Sequence, residues 1–329
     1  MISQRATSRF LFVSSSEVSA NSSALSIRAQ RSGATTVGRI SHAPRSISIG
    51  SVSVFACLLH AVAAHAQVPS PYAVASGLDL ECRRAEGAPP VQNLGIRQLN
   101  PVLQPVLPNQ VAQLGPLQEV CVPVAKNNQV PKDPALSVIR SVDIACYRAN
   151  AAPVDVRVRA SHLNPVLAGL PEEDVHLTQL EQVCVPVAKN GVFPQEPQLS
   201  IVRYMDFACY GLDEPTSDAN RNLLLSHLNP VLQDHPNHVV HMERARQLCV
   251  PIAKNQQVVP EPARDIVRRI DFLKYRATPV AGPLAAWPLV LYHLNPLFSQ
   301  LPPFQVVLDG PSRLLVPVAK NGVMPEGDK

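Results

Sequence analysis

Aromatic side chains are scarce in this chain, at 5% with a single Trp, so a sugar-binding surface would have few flat rings to stand on. Lys and Arg never gather into a run. Residues 1–66 hold six Arg (Arg5, Arg9, Arg28, Arg31, Arg39, Arg45) against one acid, Glu17, so the formal charge of +4 belongs to that segment and the rest is nearly neutral. A body without a basic patch lacks the electrostatic footprint of a nucleic-acid binder. No G-x-S-x-G, P-loop, H-E-x-x-H or G-x-G-x-x-G pattern occurs, which removes the usual hydrolase, nucleotide and metalloprotease signatures. No C-x-x-C or H-x-x-x-H cluster accompanies the cysteines, so zinc spacing is missing as well. Apolar residues nowhere keep a helical stripe for three turns, and 33 prolines recur too often for long helices.

What is present begins with a leader. Residues 1–45 are rich in Ser and Arg, and Ile47 to Ala66 is a largely apolar run ending in Ala64-His65-Ala66. A charged region, an apolar core and an A-x-A site read as a secretory signal peptide over 1–66, cleaved before Gln67. Small and polar residues keep the apolar core well short of the roughly 20 residues a membrane span needs, so no span is expected after cleavage. Val54-Phe55-Ala56-Cys57 is a poor lipoprotein box, because Phe55 is wrong for it and apolar residues continue beyond Cys57.

The remainder is one unit written four times. Asn-Pro pairs start at Asn100, Asn164, Asn229 and Asn295, spaced 64, 65 and 66 residues apart. Ahead of each lies a strand-like stretch: Asp79 to Cys82, Asp143 to Tyr147, Asp206 to Tyr210 and Asp271 to Tyr275. Behind each comes a V-P-V-A-K-N type segment at 121–128, 184–191, 249–255 and 315–322. With an internal period in view, length alone no longer sets the domain count. Expected boundaries are a linker at 67–77 and copies at 78–130, 142–193, 201–258 and 266–324. Short branched runs between turn residues suit strands. Asn127-Asn128, Asn190-Gly191 and Asn321-Gly322 suit tight turns, and Pro123, Pro186, Pro251 and Pro317 are expected to mark an edge strand or a bulge. The fold class is all-β: a tandem array of four small, sandwich-like or barrel-like modules.

Outside the leader there are six cysteines. An even number at repeating spacing in an exported chain implies disulfides. The fourth copy has Lys274 and Leu315 at both cysteine positions, and a joint loss fits partners inside one copy: Cys82–Cys121, Cys146–Cys184 and Cys209–Cys249. A rival scheme, Cys121–Cys146 and Cys184–Cys209, would leave Cys82 and Cys249 to meet from far apart.

Several polar residues invite a functional reading. His162, His227 and His293 recur in H-L-N-P, but Gln98 replaces them in the first copy, so a half-buried side chain bonded to backbone is expected. His235, His238 and His241 would share a face only on a helix, and Pro236 argues for a solvated loop. Lys126, Lys189, Lys254 and Lys320 form either a shared binding face for an anionic polymer or guards of an exposed edge. Asp79, Asp143, Asp206 and Asp271 are equally regular, and an Asp–Lys contact would account for both sets. An enzyme site occurs once, whereas every regular polar residue here occurs three or four times, so no catalytic residue, cofactor or metal is assigned.

The D-F-x-C-Y … L-N-P … L-C-V-P-V-A-K-N combination resembles an uncharacterised repeat of exported bacterial proteins, with a D-H/F-x-C-Y strand and a later L-C-x-P-x-x-K strand. The likeness covers 79–323 and departs at Arg83, where Tyr is expected, and in the cysteine-free fourth copy. It implies export, β structure and disulfides, and it carries no site. The expected role is structural or interactive, in a secreted, periplasmic or cell-envelope protein that meets an envelope polymer or another protein. A carbohydrate-binding array using Tyr147, Tyr210 and Tyr275 is the alternative. A third reading puts an enzyme or inhibitor site in a copy-specific spacer such as Pro279 to Val290 around Trp287.

Overall fold

The structure is a computed structural model, and it describes residues 68–327. The leader, with Cys57 and the cleavage site before Gln67, lies outside the described residues. Each copy contributes a short helix and a set of strands. The first has α1 (Pro71–Gly77), β1 (Asp79–Gly87), β2 (Asn93–Gln98) and β3 (Gln110–Lys126). The second has α2 (Ala135–Ile139), β4 (Ile144–Asn150), β5 (Val156–His162) and β6 (Glu173–Lys189). The third has α3 (Gln198–Val202), β7 (Phe207–Leu212), β8 (Arg221–His227) and β9 (His238–Lys254). The fourth has α4 (Ala263–Val267), β10 (Phe272–Pro279), β11 (Trp287–His293), β12 (Phe304–Leu308) and β13 (Pro311–Lys320). The chain is all-β, as its branched, proline-punctuated runs require.

The first and long strands close on themselves. In ring order β1, β3, β4, β6, β7, β9, β10 and β13 each pair antiparallel with the next, and β13 pairs back to β1. The copies therefore form one hydrogen-bonded body, and no ring strand is left as an edge. Four of the remaining strands clasp opposite copies: β2 pairs the far end of β9, β8 that of β3, β5 that of β13, and β11 that of β6.

This arrangement explains the burial pattern of the long strands. The first half of β3 alternates buried and exposed residues, as a sheet with one wet face must, whereas Glu119 to Lys126 are all buried. One face of that second half meets a core with Val120, Val122, Tyr147 and Tyr210, and the other meets the cysteines, Leu80, Ile144, Phe207 and Phe272. The second core also holds Val74, Val138, Ile201 and Ile266 from the four helices. Two of those helices lie in stretches expected as bare linker or spacer, 67–77 and 131–141. They are helical because their apolar residues find this core, which a pattern too short for periodicity does not announce.

The prolines sit neither at an edge nor in a bulge. Pro123 falls between Cys121, opposite Ile144 of β4, and Val124, opposite His227 of β8. One neighbouring strand ends there and another begins, so the missing N–H deprives no ladder. The carbonyls of Pro123, Pro186, Pro251 and Pro317 accept from the backbone N–H of Leu228, Leu294, Leu99 and Leu163 of the opposite copy. The Asn turns form as expected, with positive φ at Asn127, Asn190, Asn255 and Asn321. Each Asn side chain also accepts a backbone N–H from the opposite copy: Leu224, Val290, Gly95 and Arg159, respectively.

Candidate functional site

The regular polar residues are used up in the interior. Lys126, Lys189, Lys254 and Lys320 are at most 1% exposed, so they form neither a binding face nor an edge guard. Each pairs with the Asp of its own copy: Lys126–Asp79, Lys189–Asp143, Lys254–Asp206 and Lys320–Asp271. Each of these carboxylates also accepts from the L-N-P asparagine of the following copy, with Asn164 on Asp79, Asn229 on Asp143 (2.8 Å), Asn295 on Asp206 (2.7 Å) and Asn100 on Asp271 (2.7 Å). The fourth contact joins the first copy to the last, so the Asp–Lys–Asn sets lock the ring. Burial pushes Asp79 and Asp206 up to about 6 against the pull of Lys and Asn, and the same burial lowers all four lysines. Removing either partner would strand the other charge, which costs about 3–5 kcal/mol.

The expected disulfides are present: Cys82–Cys121, Cys146–Cys184 and Cys209–Cys249. They suit an oxidising compartment. In the fourth copy Lys274 is buried and donates to Glu119 and Gln182 of the first and second copies. A cross-ring polar contact thus replaces the covalent one. Among the described residues no helix is long and apolar enough to cross a membrane.

One polar position varies among the copies. Where opposite copies meet, three residues come together: the one after the first cysteine position, the histidine position of H-L-N-P, and the residue that opens the long-strand segment. Tyr210 accepts from Gln98 (3.1 Å) and donates to Gln110 (2.9 Å). His162 bonds the Tyr275 hydroxyl at 2.9 Å, in a copy whose long strand opens with Glu173. Tyr147 lies 6.2 Å from His293, whose ring is 5.4 Å from Phe304. His162 therefore bonds a tyrosine hydroxyl and not the expected backbone, and burial, helped by the Lys126 and Arg221 charges, lowers it to about 4.

The fourth position is charged. Here the residues are Arg83, His227 and His238, joined by Glu81, where the other copies have Ala145, Ala208 and Leu273. Glu81 and Arg83 are fully buried and His238 is 8% exposed. Arg83 Nε donates to Glu81 Oε1 at 3.0 Å, and its Nη1 donates to the carbonyls of Ala285 (3.1 Å) and Asp309 (3.3 Å). The guanidinium lies 3.3 Å over the Trp287 ring. His235 stacks on Trp287 at 4.0 Å, and His227 meets it edge-on at 5.0 Å. Glu81 Oε2 and His238 Nε2 stand 3.0 Å apart as an ion-pair contact, without an aligned hydrogen bond. Both ring nitrogens of His227 are also buried without one. Burial works to raise the Glu81 carboxyl, but His238, His227 and Arg83 outweigh it and hold it below the usual range.

His235, His238 and His241 do not share a face. His238 is the buried first residue of β9, His235 caps Trp287, and His241 is half-buried beside Asn222 (2.9 Å). The solvated loop expected for all three thus ends before His238.

Beside this cluster a cleft of about 1000 Å³ opens between the first and fourth copies. The fourth long strand is broken into β12 and β13 at Asp309-Gly310, whereas β3, β6 and β9 run 17 residues each. β12 pairs only with β11, so beyond the Asp309 N–H bond to the Arg84 carbonyl (2.9 Å) β1 is left without its ladder on that side. Arg84, Glu86, Gln118, Asn190, Gln305 and Asp309 give the cleft polar groups over Leu117, Leu289 and Val306. Val307 on its wall is 56% exposed. The Trp287 spacer singled out in the sequence belongs to this seam. Arg83 was visible only as a departure from the repeat, Glu81 drew no notice, and nothing in sequence spacing joins them to His227 and His238.

No protein-family model matches the chain, and no curated protein or solved structure matches it.

Proposed function

We propose that the chain is an exported binding protein without a catalytic role, a disulfide-locked scaffold that meets a cell-envelope polymer through one cleft. The observation that carries this reading is the seam cleft itself, a large open depression where the fourfold pattern breaks. The repeated Asp, Lys and Asn are consumed in holding the ring, which leaves the copy-specific seam to do the recognising. Its amide and charged side chains over an apolar floor suit a polar chain with aliphatic or ring carbons. The leader pattern, the three disulfides and the resemblance to exported repeats support export. The alternative of a sugar-binding array loses its platforms, because Tyr147, Tyr210 and Tyr275 are at most 1% exposed.

Co-sedimentation of the purified chain with isolated envelope polysaccharide tests the reading. Saturable binding that Val307→Asp weakens at least about tenfold is the expected result. Equal partition of the native and Val307→Asp chains, or no binding, would overturn it.

A further inference from the structure

The Glu81 cluster holds more unsatisfied polarity than a folded interior normally keeps. An imidazole buried with neither nitrogen bonded forfeits the hydrogen bonds that water would give it, with nothing in return. Here both nitrogens of His227 are in that condition, while Glu81 Oε2 and His238 Nε2 have only each other, as an ion-pair contact without an aligned hydrogen bond. One oxygen and two imidazole nitrogens, one from each residue, lie within 4.8 Å of one another. Glu81 Oε2 and His238 Nε2 are 3.0 Å apart, near the separation of two ligands on one small cation.

We propose that Glu81, His227 and His238 form a binding site for a divalent transition-metal ion of the zinc class. Two imidazoles and one carboxylate are the donor set such ions take, and three protein ligands leave a position for water or an incoming ligand. The surroundings supply the usual support. Arg83 Nε holds the other oxygen of Glu81 at 3.0 Å, which fixes the carboxylate so that Oε2 faces the two histidines. Trp287 stands edge-on to His227 at 5.0 Å, and the exposed Pro236 and Asn237 immediately precede the buried His238. His227 as a whole is half-buried, although both of its ring nitrogens are buried.

An ion pair alone is the competing account. Arg83 and His238 each pair with an oxygen of Glu81, but neither does anything for His227, whose equivalents Gln98 and His162 both bond a tyrosine hydroxyl. Arg83 has taken that tyrosine's place and turns its Nε to Glu81. The other convergence of ligand-type residues among the described ones, Cys82, Glu119 and Cys121, has its sulfurs locked in a disulfide.

The inference rests on reading the seam as the functional site, but its test is separate. Chelator-treated protein is titrated with ZnCl2 by calorimetry and with Co2+ by visible absorption. The expected result is one ion per chain, a Co2+ ligand-field spectrum, and affinity lowered more than about 100-fold in Glu81→Gln and His238→Ala. His227→Gln is included because the first copy accommodates Gln98 at this place, so its fold should survive even if His238→Ala does not. His241→Ala should bind Zn2+ as the native chain does. Absence of saturable binding, or His227→Gln and Glu81→Gln binding as tightly as native, would overturn the assignment. Val307→Asp should leave Zn2+ binding intact. A native chain that binds Zn2+ but no envelope polymer therefore counts against the proposed function alone, and one that binds the polymer but no Zn2+ counts against the metal alone.

Discussion

Lys189 carries its ammonium into a place without water, and the reason it can do so is Asp143 in the same copy, itself tied by Asn229 of the next. The regularity of Asp and Lys in sequence already pointed to a contact between them. Whether the pair faced solvent or core was decided by the strand of the opposite copy lying over it. The histidine position carries a pH prediction. His162 is held neutral in the fold, with a pKa of about 4 against an ordinary 6.5. A histidine depressed in this way contributes stability that is full above pH 6.5 and is lost as pH falls from 6.5 through 4. Spread over that shift, and discounted for partial exposure, the loss is about 2–3 kcal/mol. His162→Gln should keep the bond to Tyr275, as Gln98 bonds Tyr210. In denaturant melts the stability difference between native and His162→Gln should be flat above pH 6.5 and move in favour of the variant toward pH 4. Parallel curves would show that His162 is not held neutral.

At the level of elements, the V-P-V strand illustrates what a pattern can and cannot convey. Proline in a strand was correctly a sign that one N–H has no partner. The sheet supplies that vacancy in its middle, where β4 hands over to β8 on the flank of β3. The short helices were hidden for a related reason: five residues span little more than one turn, too few for periodicity, and only the shared core makes them helical. The disulfide pairing was readable because copy four lost both positions at once. The Cys146–Cys184 bridge closes a separation of 38 residues, which the chain-entropy account values at about 3–4 kcal/mol. Replacing both cysteines by serine should lower the unfolding free energy by roughly that amount, measured in guanidinium under non-reducing conditions. An unchanged midpoint would mean that the ring, not the bridge, holds those strands together.

For the whole molecule, closure is the governing fact. A string of independent modules would lose one quarter and keep three. A closed ring loses much more, because removing the fourth copy strips β9 of β10, β1 of β13, β5 of half its pairing and β6 of β11. A chain ending at Val258 should therefore aggregate or melt without a cooperative transition in circular dichroism and calorimetry, since exposed ladders and half an uncovered core remain. A cooperative melt with three quarters of the native enthalpy would refute closure as the source of stability. By itself the sequence determined the β character, the copy count, the disulfide partners and the Asn turns, because each depends on residues close in the chain or on comparison between copies. Only the tertiary structure decided that the copies close into a ring, that the lysines lie inside, and that Glu81 and Arg83 meet His227, His238 and Trp287. Those contacts join opposite or terminal copies across the ring, and local spacing carries no record of which distant strand will lie alongside.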